Sequence, residues 1–263
     1  MRFEYDPHLV EQATFLVAQR NPERECVLHE VLDPLYRIND PETRQRAFRD
    51  AYAALFQRFG LDHLVPSYIR EFPLAATQLN HCIVREAERS RAQSVDLYTK
   101  QSDDPEGGGE RVLILALCPE SLLAPQRLTP WMYRQLQHVE DMVDQRFAYE
   151  RKLPSASVVK QNLIRDRYAV LWDVYVEGRL NRSGKLPDEA VGLWRSFSKA
   201  FARNGISPPR IAFDSLWDAD GLTHAQLMAW ATDPAALLKD GEQGDHQRTE
   251  DALACAASAH LGR

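Results

Sequence analysis

Apolar residues recur at Ala47, Phe48, Ala51, Tyr52, Leu55, Phe56 and Phe59, the spacing of one helical face. Asp40-Pro41 places a capping residue before a first-turn proline, and Gly60 supplies a stop, so a helix is predicted over 41–59. Shorter helices are predicted over 9–19, 23–32 and 78–89, while 61–74 carries no decisive pattern. After Arg91 the pattern changes. Val95, Leu97 and Tyr98 fall in a strand-like run, and residues 111–117 read R-V-L-I-L-A-L. These predict two antiparallel strands joined by the polar, glycine-containing stretch 101–109. A second strand so apolar expects cover on both faces. The triple glycine lacks the Lys-Ser/Thr of a phosphate loop and reads as a hairpin tip.

Helical spacing then returns. Thr129-Pro130 predicts a helix start, with the helix running to about Arg146. A second helix is predicted over 157–177, rich in aromatics at Tyr168, Trp172 and Tyr175 and stopped by Gly178. The aromatic run reads as core packing. A third helix is predicted over 187–203. Thr223-His224-Ala225-Gln226 fits a capping box, and Asp233-Pro234 starts one last short helix. Residues 241–263 read as a polar, flexible tail, in which 251–261 could form an alanine-rich helix. The fold expected is a predominantly α-helical α+β domain with a small antiparallel sheet or hairpin followed by a helix. One domain is expected over 1–240, with a helical N-terminal region (1–90), a core (91–180) and a helical C-terminal region (181–240).

Composition removes several function classes. The chain of 263 residues carries a formal charge of -6 and a pI near 5.8, against the basic surface of a nucleic-acid binder. No apolar run reaches the length of a membrane span. The N-terminal stretch has no signal-peptide core, so a cytoplasmic location is expected. Cys26, Cys82, Cys118 and Cys255 are widely spaced, which is neither a disulfide framework nor a zinc ribbon. They read as small apolar residues.

Among the histidines, His29-Glu30 is followed after two residues by Asp33 and a proline, and reads as a capping or surface pair. His81, beside Cys82, reads as a core or boundary histidine. His63 and His224 lie near predicted helix starts. The one segment with the outline of a reactive motif is Arg134-Gln135-Leu136-Gln137-His138. A zinc-protease helix carries H-E-x-x-H, with two imidazoles one turn apart on one metal and a glutamate taking a proton from the metal-bound water. Here only the final histidine matches.

The longer run 136–149, L-Q-H-V-E-D-M-V-D-Q-R-F-A-Y, resembles a family of uncharacterised bacterial proteins whose segment reads H-E-L-x-H-x-x-D-M-L-D-P-x-F-G-Y. Residues 165–180, R-D-R-Y-A-V-L-W-D-V-Y-V-E-G-R-L, resemble the family's R-D-R-Y-x-V-L-W-D-x-x-x-D-G-R-L block. Thr223 to Leu227 resembles its T-H-A-E-L block, and Asp33-Pro34-Leu35-Tyr36 also fits. The resemblance implies a minimal zincin layout of strand, loop, strand, motif helix and second helix. The departures fall at the chemistry. Arg134 stands at the first ligand, Gln135 at the general base, and Gln145 and Ala148 at the proline and glycine. An arginine offers no lone pair to zinc, and a glutamine amide is no useful base.

Arg134, His138 and Asp141 lie at i, i+4 and i+7, one stripe of a helix. Arg134 is therefore a candidate to supply the charge that a metal would supply, toward Asp141 or toward Asp173 and Glu177. In family terms those two occupy the place of an acidic third ligand. The competing reading is an ordinary solvated Arg134–Asp141 pair. A metzincin-like H-x-x-D-x-x-D spacing through Asp144 fails, because a continuing helix rotates Asp144 away from His138.

Three functions remain open. The first is a catalytically degenerate metallopeptidase-like pseudoenzyme that binds a peptide or protein partner along an exposed strand, with no cofactor expected. The second is a metal-dependent hydrolase holding zinc through His138, Asp141, Asp173 and Glu177. The third is a non-enzymatic helical interaction subunit. Neither nucleic acid nor membrane is an expected partner, and the sequence leaves the oligomeric state open.

Overall fold

A computed structural model describes residues 1–100, 109–151, 157–187, 190–202, 208 and 210–237. The chain divides into two compact units, Met1–Glu140 and Asp141–Arg263. It is predominantly helical with one small sheet.

The first unit opens with strand β1 (Arg2–Tyr5), followed by helices α1 (Pro7–Gln19), α2 (Pro22–Leu32) and α3 (Pro41–Arg58). Each of the three helices has a proline in its first turn and a side-chain cap: Asp6 accepts from His8 N, Asn21 from Glu23 N, and Asp40 from Thr43 N. Gly60 adopts a left-handed φ of 77° and turns the chain out of α3. The stretch 61–74, undecided from sequence, forms a 3-10 turn at Leu61–His63, α4 (Leu64–Arg70) and the start of α5 (Pro73–Gln78).

The helix predicted over 78–89 is not formed. Residues His81–Glu86 are strand β2 instead, with Cys82 and Val84 buried and their neighbours less so. That alternation has period two, and Ile83 and Val84 are β-branched. β2 pairs in parallel with β1 and with β4 (Glu110–Leu117), and β3 (Ser94–Lys100) pairs antiparallel with β4. The predicted hairpin strands are therefore present, within a mixed sheet ordered β1-β2-β4-β3. β4 is central, and Leu113, Leu115, Ala116 and Leu117 are buried, as its unbroken apolar run required. The hairpin tip 101–108 and the tail 241–263 lie outside the described residues.

Short α6 (Pro119–Leu122) leads to α7 (Pro125–Val143). This helix begins at Pro125 rather than at Thr129-Pro130, so Pro130 lies inside it. A proline there lacks one N–H, a cost carried by the burial of Leu128, Met132 and Leu136. Helix α5 has no side-chain cap of its own. Glu140 of α7 supplies one, accepting from Leu74 N at 3.0 Å and Ala75 N at 2.7 Å.

The second unit is built on α8 (Val158–Arg182), which contacts α9 (Ala190–Phe201), α10 (Arg210–Trp217) and α11 (His224–Thr232). From Leu171 to Leu180 α8 is buried almost all round, as befits a helix with three helical neighbours. Gly178 does not stop it. A Cβ on Gly178 would lie 2.0 Å from the Trp217 carbonyl oxygen, so the glycine permits close approach to α10. The helix ends at Arg182, and just beyond it Gly184 takes a left-handed φ of 70° while Lys185 N donates to Leu180 O at 2.9 Å. The Thr223–Gln226 capping box forms as predicted.

Candidate functional site

Helix α7 is reached from β4 through the short α6 and carries Arg134, Gln135 and His138, all half-buried. Its apolar face, Met132, Leu136 and Val139, is buried. This is the amphipathic placement that 3.6-residue spacing requires. Arg134, Gln135 and His138 fall in the first unit, and Asp141, Asp173 and Glu177 fall in the second.

Asp141 is 3% exposed, and its Oδ2 accepts from Trp172 Nε1 at 2.8 Å and from Arg179 Nη2 at 2.5 Å. A carboxylate out of water needs such partners, because an unpaired buried charge is costly. The arginine that meets Asp141 in this way is Arg179 of α8, which was not among the sequence candidates. Its guanidinium lies 4.0 Å from the centroid of the Tyr175 ring, and Tyr175 Oη accepts from Leu222 N.

An aromatic cluster surrounds this pair. Phe147 and Tyr149 both stack on Trp172, each with ring centroids 5.4 Å apart. Tyr168 packs edge-on to Trp172 and bonds His224 Nδ1 at 2.7 Å. The His224 backbone N–H donates to Phe147 O at 2.8 Å. Burial pushes the Tyr168 phenol up and the His224 imidazole down, so both rings are neutral near pH 7. Ala148, between Phe147 and Tyr149, takes a left-handed φ of 53°, the conformation that favours glycine. The family's segment has glycine at this place.

Residues from all three resembling blocks therefore meet: Asp141, Phe147 and Tyr149, then Tyr168, Trp172 and Arg179, then His224. Each block read alone suggested packing or a helix start.

The donor chemistry does not fit a zinc ion. Arg134 has no lone pair to give, and the Asp141 carboxylate is engaged by Trp172 and Arg179. Asp173 is exposed whereas Glu177, four residues on, is 4% exposed. Among the described residues no group of three or more His, Cys, Asp and Glu side chains could hold a metal ion. Among the described residues, His29 and His81 sit beside carboxylates. His29 lies 3.7 Å from Asp33, and His81, on β2 rather than on a helix, lies 3.4 Å from Glu4. Cys82 and Cys118 are buried, and Cys26 is exposed.

No family model, curated protein or solved structure matches this chain. Among the described residues, no helix is long and apolar enough to cross a membrane.

Proposed function

We propose that this chain is a catalytically degenerate metallopeptidase-like protein that acts by binding a peptide or protein partner. The observation that carries the reading is the position of Arg134, Gln135 and His138. They lie on α7, which is reached from β4 through the short α6, and β4's antiparallel neighbour β3 is a sheet edge. An edge strand accepts an extended peptide through main-chain hydrogen bonds. With arginine and glutamine at the ligand and base positions, the peptide would be held and not cut. The left-handed Ala148 and the meeting of the three blocks support the family resemblance behind this reading. Free thiols at Cys26, Cys82 and Cys118 suit a reducing, cytoplasmic compartment.

The non-enzymatic interaction subunit keeps one supporting observation, the exposed Val158, Val159 and Leu163 early in α8. The hydrolase reading has the least support, given the donor chemistry above.

The test is to rebuild the motif. Arg134→His with Gln135→Glu restores two imidazoles one turn apart and a carboxylate beside the first. The double variant is expected to bind zinc stoichiometrically, with a zinc-dependent rise in melting temperature, and the parent is expected to do neither. A folded double variant that ignores zinc makes the motif resemblance a coincidence. A stoichiometric divalent metal in untagged parent protein overturns the degenerate reading.

A further inference from the structure

In the first unit, β1, α3, the 3-10 turn and α4 enclose a groove of about 380 Å³. Its walls include the aromatic rings of Phe3, Tyr5 and Phe56 and the ring of Pro66, with Asp62 and His63 as the ionisable groups. That volume is in the range of sites for one small ligand, roughly 300–1,000 Å³. The Tyr5 and Phe56 rings pack at 5.2 Å with a 59° tilt. The Tyr5 hydroxyl donates to the Asp62 carbonyl at 3.0 Å, which ties the turn to β1. Burial and the nearby Cys82 and Asp62 push the Tyr5 phenol up, so it stays a neutral donor.

The Asp62 carboxylate is the feature that selects a ligand. Its side chain is 25% exposed; Oδ1 is out of solvent and beyond a ligand's reach, so Oδ2 is the oxygen a ligand in the groove can meet. The nearest ionisable partner is His63 Nε2 at 3.7 Å, beyond hydrogen-bond reach. Neither lysine nor arginine lines the groove. A carboxylate so weakly neutralised, beside rings whose faces carry negative potential, favours a cation and disfavours an anion. The apolar walls favour a carbon body behind the charge.

We propose that this groove binds a small organic amine, with its ammonium group on Asp62 and its apolar body against Phe3, Tyr5 and Phe56. The site is separate from β3 and α7, so its test stands or falls independently of the pseudoenzyme reading.

The experiment is calorimetric titration of the full chain with benzylamine, benzyl alcohol, benzoate and a lysine-bearing tetrapeptide. Benzylamine is expected to bind about tenfold or more tightly than the alcohol, the worth of one charge-assisted hydrogen bond. Benzoate is expected not to bind. Asp62→Asn keeps the shape, removes the charge and should bring benzylamine down to the alcohol's level. Ala53→Trp places a large ring on the exposed wall of the groove and should abolish binding even if Asp62→Asn fails to fold. Equal binding of amine and alcohol, tighter binding of benzoate, or benzylamine affinity unchanged in either folded variant overturns the proposal. Tighter binding of the tetrapeptide than of benzylamine also overturns it, because the occupant would then be a peptide side chain.

Discussion

The Arg134–His138 turn of α7 and the cluster around Asp141 lie close together in the sequence and differ in what their side chains do. In the cluster, the matching residues have structural tasks. Asp141 receives Trp172 and Arg179, Phe147 and Tyr149 stack on Trp172, and Tyr168 bonds His224. On the proposed reading, Arg134 and Gln135 stand at the ligand and base positions, and neither side chain can do that job. Packing constrains many atoms at once, so a buried network tolerates little change. On the proposed reading, a catalytic pair serves only the reaction, so the packing does not require it once the reaction is absent.

The sharpest way to break this contrast is to compare the two arginines. Arg179→Met leaves Asp141 buried beside only Trp172 and is expected to cost about 3–5 kcal/mol in urea denaturation. Arg134→Ala leaves the Asp141–Arg179 pair intact and should cost about 1 kcal/mol or less. An Arg134 loss equal to that of Arg179 would move the essential charge onto the motif turn and revive the charge-substitution idea.

Gly178→Ala tests the same unit through its backbone. The new Cβ meets the Trp217 carbonyl, a backbone atom that cannot swing aside. A loss of about 2–3 kcal/mol is expected from overpacking. A neutral result by the same denaturation measurement would mean that α8 and α10 separate easily.

The pH dependence should separate the second unit's cluster from the surface of the first. Burial lowers the His224 pKa, so its contribution is fully present above its unfolded value and is lost as pH falls below about 6.5. The exposed His8 behaves oppositely. Its hydrogen bond to Glu86 raises its pKa, so that contribution is present below the unfolded value and is lost as pH rises through the folded one. His224→Gln should therefore flatten the acid side of a melting-temperature profile. His8→Gln should change the neutral-to-alkaline side, and by less, because the pair is exposed. An unaltered acid limb in His224→Gln would remove the neutral-imidazole account.

The smallest expected effect is a gain. Ala148→Gly relieves a left-handed alanine and should stabilise by about 0.5–1 kcal/mol, read as a higher urea midpoint. Destabilisation would show that the alanine methyl contributes packing that outweighs the strain.

Local signals determined much of the helical framework and one hairpin. The Asp40-Pro41 cap, the apolar stripe of α3, the apolar run 112–117 of β4 and the Thr223 capping box are each readable within about ten residues, and each is present. These are short-range effects of hydrogen-bond satisfaction and side-chain period, so no distant partner is needed to read them. What the local pattern missed was non-local. β2 reads as a helix in the sequence because its parallel partners begin at Arg2 and Glu110, far along the chain. Gly178 reads as a stop because the carbonyl that requires it lies on another helix. The i+7 stripe makes Arg134 the natural partner for Asp141, whereas Arg179 and Trp172 hold it. The pattern of polar and apolar positions states which residues must be covered, and only the tertiary fold decides what covers them, because a buried charge takes whichever donor the packing brings within hydrogen-bond reach.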